Sequence, residues 1–260
     1  MKDQGRFEFM TTQIDVFSST QSVSEEDLRK KTVVVIDVLR ATSTIVTALA
    51  SKARGVIAVR DMNEASKMAM NLDASRYMLC GEKDGIKIEG YDLGNSPLEY
   101  TRPRVEGKTL ILNTSNGTKA ISKASGAKNV IIGSFLNLNA VVEALREIDN
   151  DIVLVCSGWK GRISLEDLLC AGQILYELWD QQLPVRATDG AKAAYSLYEK
   201  FGDNIEEVVQ QSNHAVRLKG LVQTDDVTYC CQLNKLNILP VLKEGIITDT
   251  HGQKERIKKG

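Results

Sequence analysis

Only two histidines occur in this chain, His214 and His251, which excludes a histidine-built metal centre. Aromatic residues make up 5% of the sequence, too few for the stacking platforms on which single-stranded nucleic acids lie. Neither sign of charge dominates. The 33 Lys and Arg against 34 Asp and Glu leave a formal net charge of −1, without the basic excess of a nucleic-acid binder. No apolar run approaches the ~18 residues that mark a membrane span, and the opening MKDQGRFEFMTTQIDVF lacks a signal peptide's continuous apolar core. The five cysteines (Cys80, Cys156, Cys170, Cys230, Cys231) form no C-x-x-C pair and no zinc spacing. They are expected as reduced thiols in a cytoplasmic protein, packed mostly as small hydrophobes. Also missing are the G-x-G-x-x-G dinucleotide fingerprint, the P-loop, the G-x-S-x-G nucleophile elbow, and an Asp-x-Asp after a strand as in haloacid-dehalogenase-type phosphatases. No repeat, low-complexity tract or Pro/Gly-rich linker divides the chain, and the four prolines stand singly.

What is present reads as an α/β protein. With 43% hydrophobic residues, 260 residues can bury a substantial core as one large domain or as two small lobes. Short β-branched or apolar runs predict strands at Thr32–Val38, Val56–Val59, Met78–Cys80, Thr109–Leu112, Val130–Gly133 and Ile152–Cys156. Thr32–Val38 does not alternate, so it is expected to be buried on both faces. Helical periodicity covers Thr42–Ser51, Asn63–Leu72, Gly117–Ala124, Asn137–Ile148, Leu165–Leu178, Gly190–Lys200 and Asn204–Leu218. Asp226–Pro240 reads as mixed, and Gln253–Gly260 as a frayed basic end. The alternation predicts a three-layer α/β/α fold with a largely parallel or mixed sheet and room for two α/β subdomains. Met62, Met68 and Met70 are expected to pack in the core beneath one helix.

Several strands end alike: apolar residues give way to Asp, Ser, Thr, Asn or Gly, and a helix starts. Ligands of open parallel sheets bind beyond such strand ends, where helix N-termini offer free N–H groups. In the first, Asp37 suits a hard cation and Arg40 a phosphate oxygen, with Thr42, Ser43 and Thr44 as donors. The same residues also suit a helix cap with a buried Asp–Arg pair. In the second, the hydroxyls and amides of Asn113–Thr118 suit an oxyanion, or a tight turn and cap. The third, Cys156–Asp167, has two glycines, two cations (Lys160, Arg162) and the pair Glu166 and Asp167 at a helix start, as anion and metal site or as a cap. Its Cys156 and Arg162 also have the Cys-x5-Arg spacing of thiolate phosphatases, but a His before the cysteine is missing and Trp159 replaces a glycine. The fourth, Cys80–Pro97, offers Glu82 or Asp92 as a metal ligand, or is a surface hairpin. His214 reads as a base or, preferably, a helix-surface residue, and His251 as solvated near the tail.

Together these stretches resemble the 2-phosphosulfolactate phosphatase family: VVVIDVLRATSTI (Val33–Ile45), GEKDGIKIEGYDLGNSPLEY (Gly81–Tyr100), NTSNGTKAI (Asn113–Ile121), CSGWKGRISLEDLLCAG (Cys156–Gly172) and SNHAVRL…DDVTYC…LP (Ser212–Pro240). They occur in the family's order and span nearly the whole chain. Ser115 stands where the family usually has Thr, and Val222 where it has Gly. The resemblance implies one domain over residues 1–260, or two lobes with the active site between them. It also implies a Mg²⁺-dependent phosphomonoesterase that converts (R)-2-phospho-3-sulfolactate to sulfolactate and phosphate on a route to coenzyme M.

On this reading Asp37 is expected to hold Mg²⁺ with Glu82, or with Glu166 and Asp167. Arg40, Thr42, Ser43, Thr44, Ser115, Asn116, Gly117 and Thr118 would bind phosphate. The loop with Ser157, Gly158, Lys160 and Arg162 would take the sulfonate or carboxylate. The expected partner is a small anionic phosphorylated substrate, with no nucleic acid and no membrane, and a homodimer is left open. Two other readings are phosphatase activity on another small phosphorylated hydroxy acid, and a non-catalytic anionic-metabolite binder.

Overall fold

Val33, Val34, Val35 and Ile36 are each fully buried, as a strand covered on both faces requires. Val34 and Ile36 join one apolar cluster and Val33 and Val35 another, so the sheet separates two cores. The computed structural model describes residues 12–70, 73, 75–221 and 225–250. Val222, His251, the end of the predicted Asn63–Leu72 helix and the basic Gln253–Gly260 tail lie outside the described residues.

The sheet is mixed and has ten strands. One parallel group contains β1 (Ile14–Phe17), β8 (Ile152–Cys156), β2 (Thr32–Ile36) and β7 (Asn129–Gly133). A second contains β3 (Gly55–Val59), β6 (Thr109–Asn113) and β4 (Tyr77–Lys83), with the short β5 (Ile86–Lys87) folded back on β4. The groups are joined by a hairpin, β9 (Pro240–Lys243) and β10 (Ile246–Asp249). Its two-residue turn puts Glu244 and Gly245 at φ 51° and 81°, the left-handed pair that matches strand twist. Strand β9 runs antiparallel to β7 and β10 antiparallel to β3, so the two parallel groups point in opposite directions along one continuous sheet.

Helices cover both faces. On one, α6 (Leu138–Arg146), α7 (Leu165–Leu178) and α8 (Asp189–Phe201) bury Val141, Ile174 and Ala194 against Val34, Ile36 and Leu154. Gly172 lets α7 and α8 touch, because a Cβ there would strike the Ala194 carbonyl. On the other face, α2 (Ala41–Ala50) and α5 (Gly117–Ala124) bury Ile45, Leu49 and Ile121 against Val33, Val35 and Val56. Helix α2 contacts β7 of one parallel group and β3 of the other, and so ties the two together.

The three-layer α/β/α expectation holds, with local corrections. Asn204–Leu218 is two helices, α9 (Ile205–Gln210) and α10 (Asn213–Lys219), because the Ser212 hydroxyl accepts from Ala215 N and starts a new N-terminus. Cys230 belongs to a further short helix, α11 (Asp226–Cys230), within the stretch read as mixed. Of the three methionines on or beside α3 (Met62–Ala69), Met68 packs inward, whereas Met62 and Met70 are exposed. Among the described residues no helix is long and apolar enough to cross a membrane.

Candidate active site

The ends of β2, β4 and β6 converge despite their different directions. Gly117, at the start of α5, faces the turn from β2 into α2. A Cβ at 117 would press into Ala41 and come within 2.7 Å of Asp37 Oδ2. Beside this contact lies a pocket of about 490 Å³. Asp37 and Arg40 line it from the β2 end, Glu82–Gly85 from the β4–β5 turn, and Asn113–Asn116 with Lys119 from the β6–α5 junction. Trp159 and Lys160 come from the loop after β8, and His214 and Arg217 from α10. Cations Arg40, Arg60, Lys83, Lys119, Lys160 and Arg217 meet the carboxylates Asp37, Asp61, Glu82 and Asp84. Lys119 and Arg217 add to the residues that the sequence motifs suggest, and His214, readable from sequence as a base or a surface residue, joins them.

The structure divides the predicted carboxylates. Asp37 and Glu82 reach the pocket, and Glu166 and Asp167 do not line it. Asp37 is 5% exposed and accepts Ala41 N–H at 3.1 Å on Oδ1. Burial pushes its carboxyl above the ordinary aspartate value, against the opposing influence of His214 and Ser157, and the charge of Glu82 adds to the rise. Glu82 accepts Ser115 N–H at 2.6 Å on one oxygen and Gly85 N–H at 2.5 Å on the other, which fixes the β4–β5 turn against the β6 end. Asp167 is a staple: Oδ1 accepts Val38 N–H at 2.8 Å, and Oδ2 accepts from Ser157 Oγ and Gly158 N–H. Burial, with Asp37 and Glu166 nearby, holds its carboxyl well above the ordinary value. Glu166 is bonded to His214 and, like Asp167, lies behind the pocket wall.

The hydroxyls of α2 turn to backbone carbonyls. Thr42 Oγ1 donates to the Asp37 carbonyl at 2.8 Å, Ser43 Oγ to the Val38 carbonyl at 2.8 Å, and Thr44 Oγ1 to the Asn95 carbonyl at 2.8 Å. All three residues are 0% exposed: Thr42 and Ser43 brace the Asp37 turn, and Thr44 ties α2 to the Asn95 loop. Thr118 Oγ1 is likewise bonded to the Thr114 carbonyl, and Gly117 supplies close approach. Ser115, Asn116 and Lys160 line the pocket. Ser157 and Gly158 sit behind it on Asp167, and Arg162 is exposed, its backbone paired with Trp159. Asp92 accepts Leu79 N–H and does not line the pocket. Arg40 is part of a buried pair, but its partner is Asp226 at 2.6 Å, not Asp37.

Cys156 is fully buried, does not line the pocket, and has its thiol pushed far up by burial, with Asp167 adding to the rise. A thiolate there has neither access nor stability, so the Cys-x5-Arg spacing does not form a phosphatase loop. His214 is not a plain surface residue: its Nδ1 is 2.9 Å from Glu166 Oε1 and its ring stacks on Trp159 at 5.5 Å.

Gly117→Ala tests the strand-end contact. The added methyl forces Asp37 and the α5 terminus apart, and displacements near 1 Å cost about 10²-fold in rate. A drop of that order in kcat, with the circular dichroism spectrum preserved, is the expected result.

A mixed α/β sheet whose strand ends, with helix α10, bring six cations and four carboxylates around one pocket has the layout of a site for a charged ligand. The profile of the 2-phosphosulpholactate phosphatase family matches residues 17–245. The chain is 41% identical over 234 residues to a protein of Caldanaerobacter subterraneus subsp. tengcongensis, with 90% of this chain and 97% of the relative covered. It is 39% identical to proteins of Clostridium beijerinckii, with 90% and 98% covered, and of Clostridium tetani, with 90% and 99% covered. All three relatives carry the name probable 2-phosphosulfolactate phosphatase. The chain belongs to the 2-phosphosulpholactate phosphatase family and is a phosphoric monoester hydrolase.

Proposed function

We propose that the protein is a cytoplasmic, Mg²⁺-dependent phosphatase that hydrolyses (R)-2-phospho-3-sulfolactate to (R)-3-sulfolactate and phosphate, on a route to coenzyme M. The observation that carries this is the pocket's charge pattern. The substrate bears phosphate, sulfonate and carboxylate on three carbons, and the pocket meets it with cations from several loops and α10 beside two buried carboxylates. Arg40, the Asn116 N–H at the start of α5 and Lys119 suit the phosphate. Lys160 and Arg217 suit the sulfonate or carboxylate, with Arg217 taking the part expected of Arg162.

The residues present fit a magnesium ion. Asp37 and Glu82 lie close enough that the charge of Glu82 raises the Asp37 carboxyl, a repulsion that a cation relieves. Among the described residues no three His, Cys, Asp or Glu side chains gather into a complete cage. An ion here would therefore be held by Asp37 and Glu82 together with water and substrate oxygens, as Mg²⁺ commonly is. When bound, it supplies Lewis-acid stabilisation of phosphoryl charge. The chain's own part is to hold the phosphate in line, offset its charge with Arg40 and Lys119, and keep Asp37 rigid through Ala41 N–H and Gly117.

Phosphate release from phosphosulfolactate tests this directly. Release is expected with Mg²⁺, to be abolished by EDTA, and to be retained for the most part in Cys156→Ser. A dead serine variant with EDTA-insensitive release would sink the metal route. Faster release from another phosphorylated hydroxy acid would move the assignment to that substrate.

A further inference from the structure

Glu166 is 0% exposed, and its Oε2 has no hydrogen-bond partner. A carboxylate this deeply buried is tolerated only beside a compensating group. His214 is that group, with Nδ1 2.9 Å from Oε1. Burial drives the Glu166 carboxyl upward, but the hydrogen bond and charge of His214, with smaller local contributions, leave the group below the ordinary glutamate value. An ionised Glu166 only accepts, so the His214 proton on this side sits on Nδ1. Nε2 is then the nitrogen left for a ligand, on a residue that lines the pocket.

The ring cannot turn freely. It lies on Trp159 with a centroid separation of 5.5 Å and an interplanar angle of 15°. Trp159 is itself covered by Lys160, 4.8 Å away, and by Arg217, 5.9 Å away. The charged groups around His214 are therefore Glu166 on α7, Lys160 on the β8 loop, Arg217 on its own helix, and Asp37 at the β2 end.

Hydrolysis of an alkyl phosphate expels an alkoxide, a strongly basic leaving group that departs readily only when it is protonated. The pocket's other proton carriers beside the ring are lysines and arginines, residue types poorly suited to donate a proton at neutral pH, whereas histidine as a type is the usual proton donor there. We propose that His214 is the general acid of this reaction and that Glu166 is its positioning residue. The inference rests on the phosphatase reading above. In the step, the oxygen of water bonds to phosphorus and the phosphorus–ester oxygen bond breaks. The electron pair of that bond stays on the leaving oxygen, which takes the proton from Nε2. One proton of the attacking water remains on the phosphate, and the other returns to the imidazole through solvent, so atoms and charge balance.

The test is a leaving-group contrast on the full-length enzyme with Mg²⁺. His214→Gln is expected to lose about 10²–10⁴-fold in kcat on phosphosulfolactate. On 4-nitrophenyl phosphate, whose leaving group needs no proton, it should lose far less. Glu166→Gln keeps an acceptor for Nδ1–H but removes the charge, and should show the same contrast more weakly. Equal losses on both esters, or no loss on the alkyl ester, overturn the proposal. If His214→Gln does not fold, or the aryl ester is refused, the wild-type solvent deuterium isotope effect on phosphosulfolactate decides. A clear slowing in heavy water supports proton donation, and its absence overturns it. A wild-type enzyme that releases phosphate from neither ester brings down the phosphatase reading itself, and this proposal with it.

Discussion

Asp37→Asn is expected to stop phosphate release, by about 10³-fold or more, while leaving a folded protein. Asparagine keeps the acceptor for Ala41 N–H and removes the charge that faces the pocket. The effect on stability should run the other way from the effect on activity. Burial holds the folded-state pKa of Asp37 above its unfolded value, so between the two the folded chain binds more protons than the unfolded one. Its contribution to stability therefore falls as pH rises from the ordinary aspartate range through the raised value. The asparagine variant lacks that term and should melt at least as high as wild type at pH 8, with a flatter pH dependence. Mg²⁺ should raise the melting temperature of the wild type by mass action and leave the variant unmoved. A variant that melts low and is inactive would show Asp37 to be a structural residue instead.

The turn that holds Asp37 also shows how far the sequence could be read. A strand of Val33–Ile36 buried on both faces follows from composition alone, because a non-alternating β-branched run suits no other environment. The roles of Thr42, Ser43 and Thr44 did not follow. A hydroxyl-rich helix start serves a ligand and a self-bonded turn equally well, and only the three backbone carbonyls in reach decide between them. Asp167 and Glu166 are adjacent in sequence yet differ in use, since successive helical positions point about 100° apart. One staples the β2 and β8 loops and the other reaches α10.

Lys119 and Arg217 escape a sequence reading for a different reason, which also leaves His214 undecided between base and surface residue. Each lies on a helix, and periodicity shows which face is polar without showing that the polar face closes a pocket. The β9–β10 hairpin did leave a signal. Glu244 and Gly245 stand between two short apolar runs, the pattern of a two-residue turn, but the runs are too short to stand out by periodicity. Its position in the sheet, between β7 and β3, is a matter of tertiary pairing alone.

Arg40→Met should be the most destabilising of the pocket substitutions, and the more informative when combined with a change at Asp226. The guanidinium and carboxylate are 2.6 Å apart, with side chains 3% and 1% exposed. Asp226 also accepts the Ser96 hydroxyl at 2.5 Å, and Arg40 donates its other amino group to the Gly85 carbonyl at 3.0 Å. Removing one charge of such a pair leaves the other buried and uncompensated, which costs about 3–5 kcal/mol, or roughly 10 °C in a domain of this size. Arg40→Met alone should show that loss in thermal or urea unfolding. The double variant Arg40→Met with Asp226→Leu should recover much of it, because no charge is then stranded, and the cycle should return a coupling of at least ~1.5 kcal/mol. Activity should not recover with stability. Arg40 lines the pocket, and Gly85, which it tethers, donates its N–H to Glu82. Without the guanidinium, phosphate loses a donor and the β4–β5 turn that carries Glu82 loses its anchor. A double variant that regains both stability and phosphate release would show that the pair only fills space between α2 and α11, and that the phosphate is held by Lys119 and the β6 loop without it.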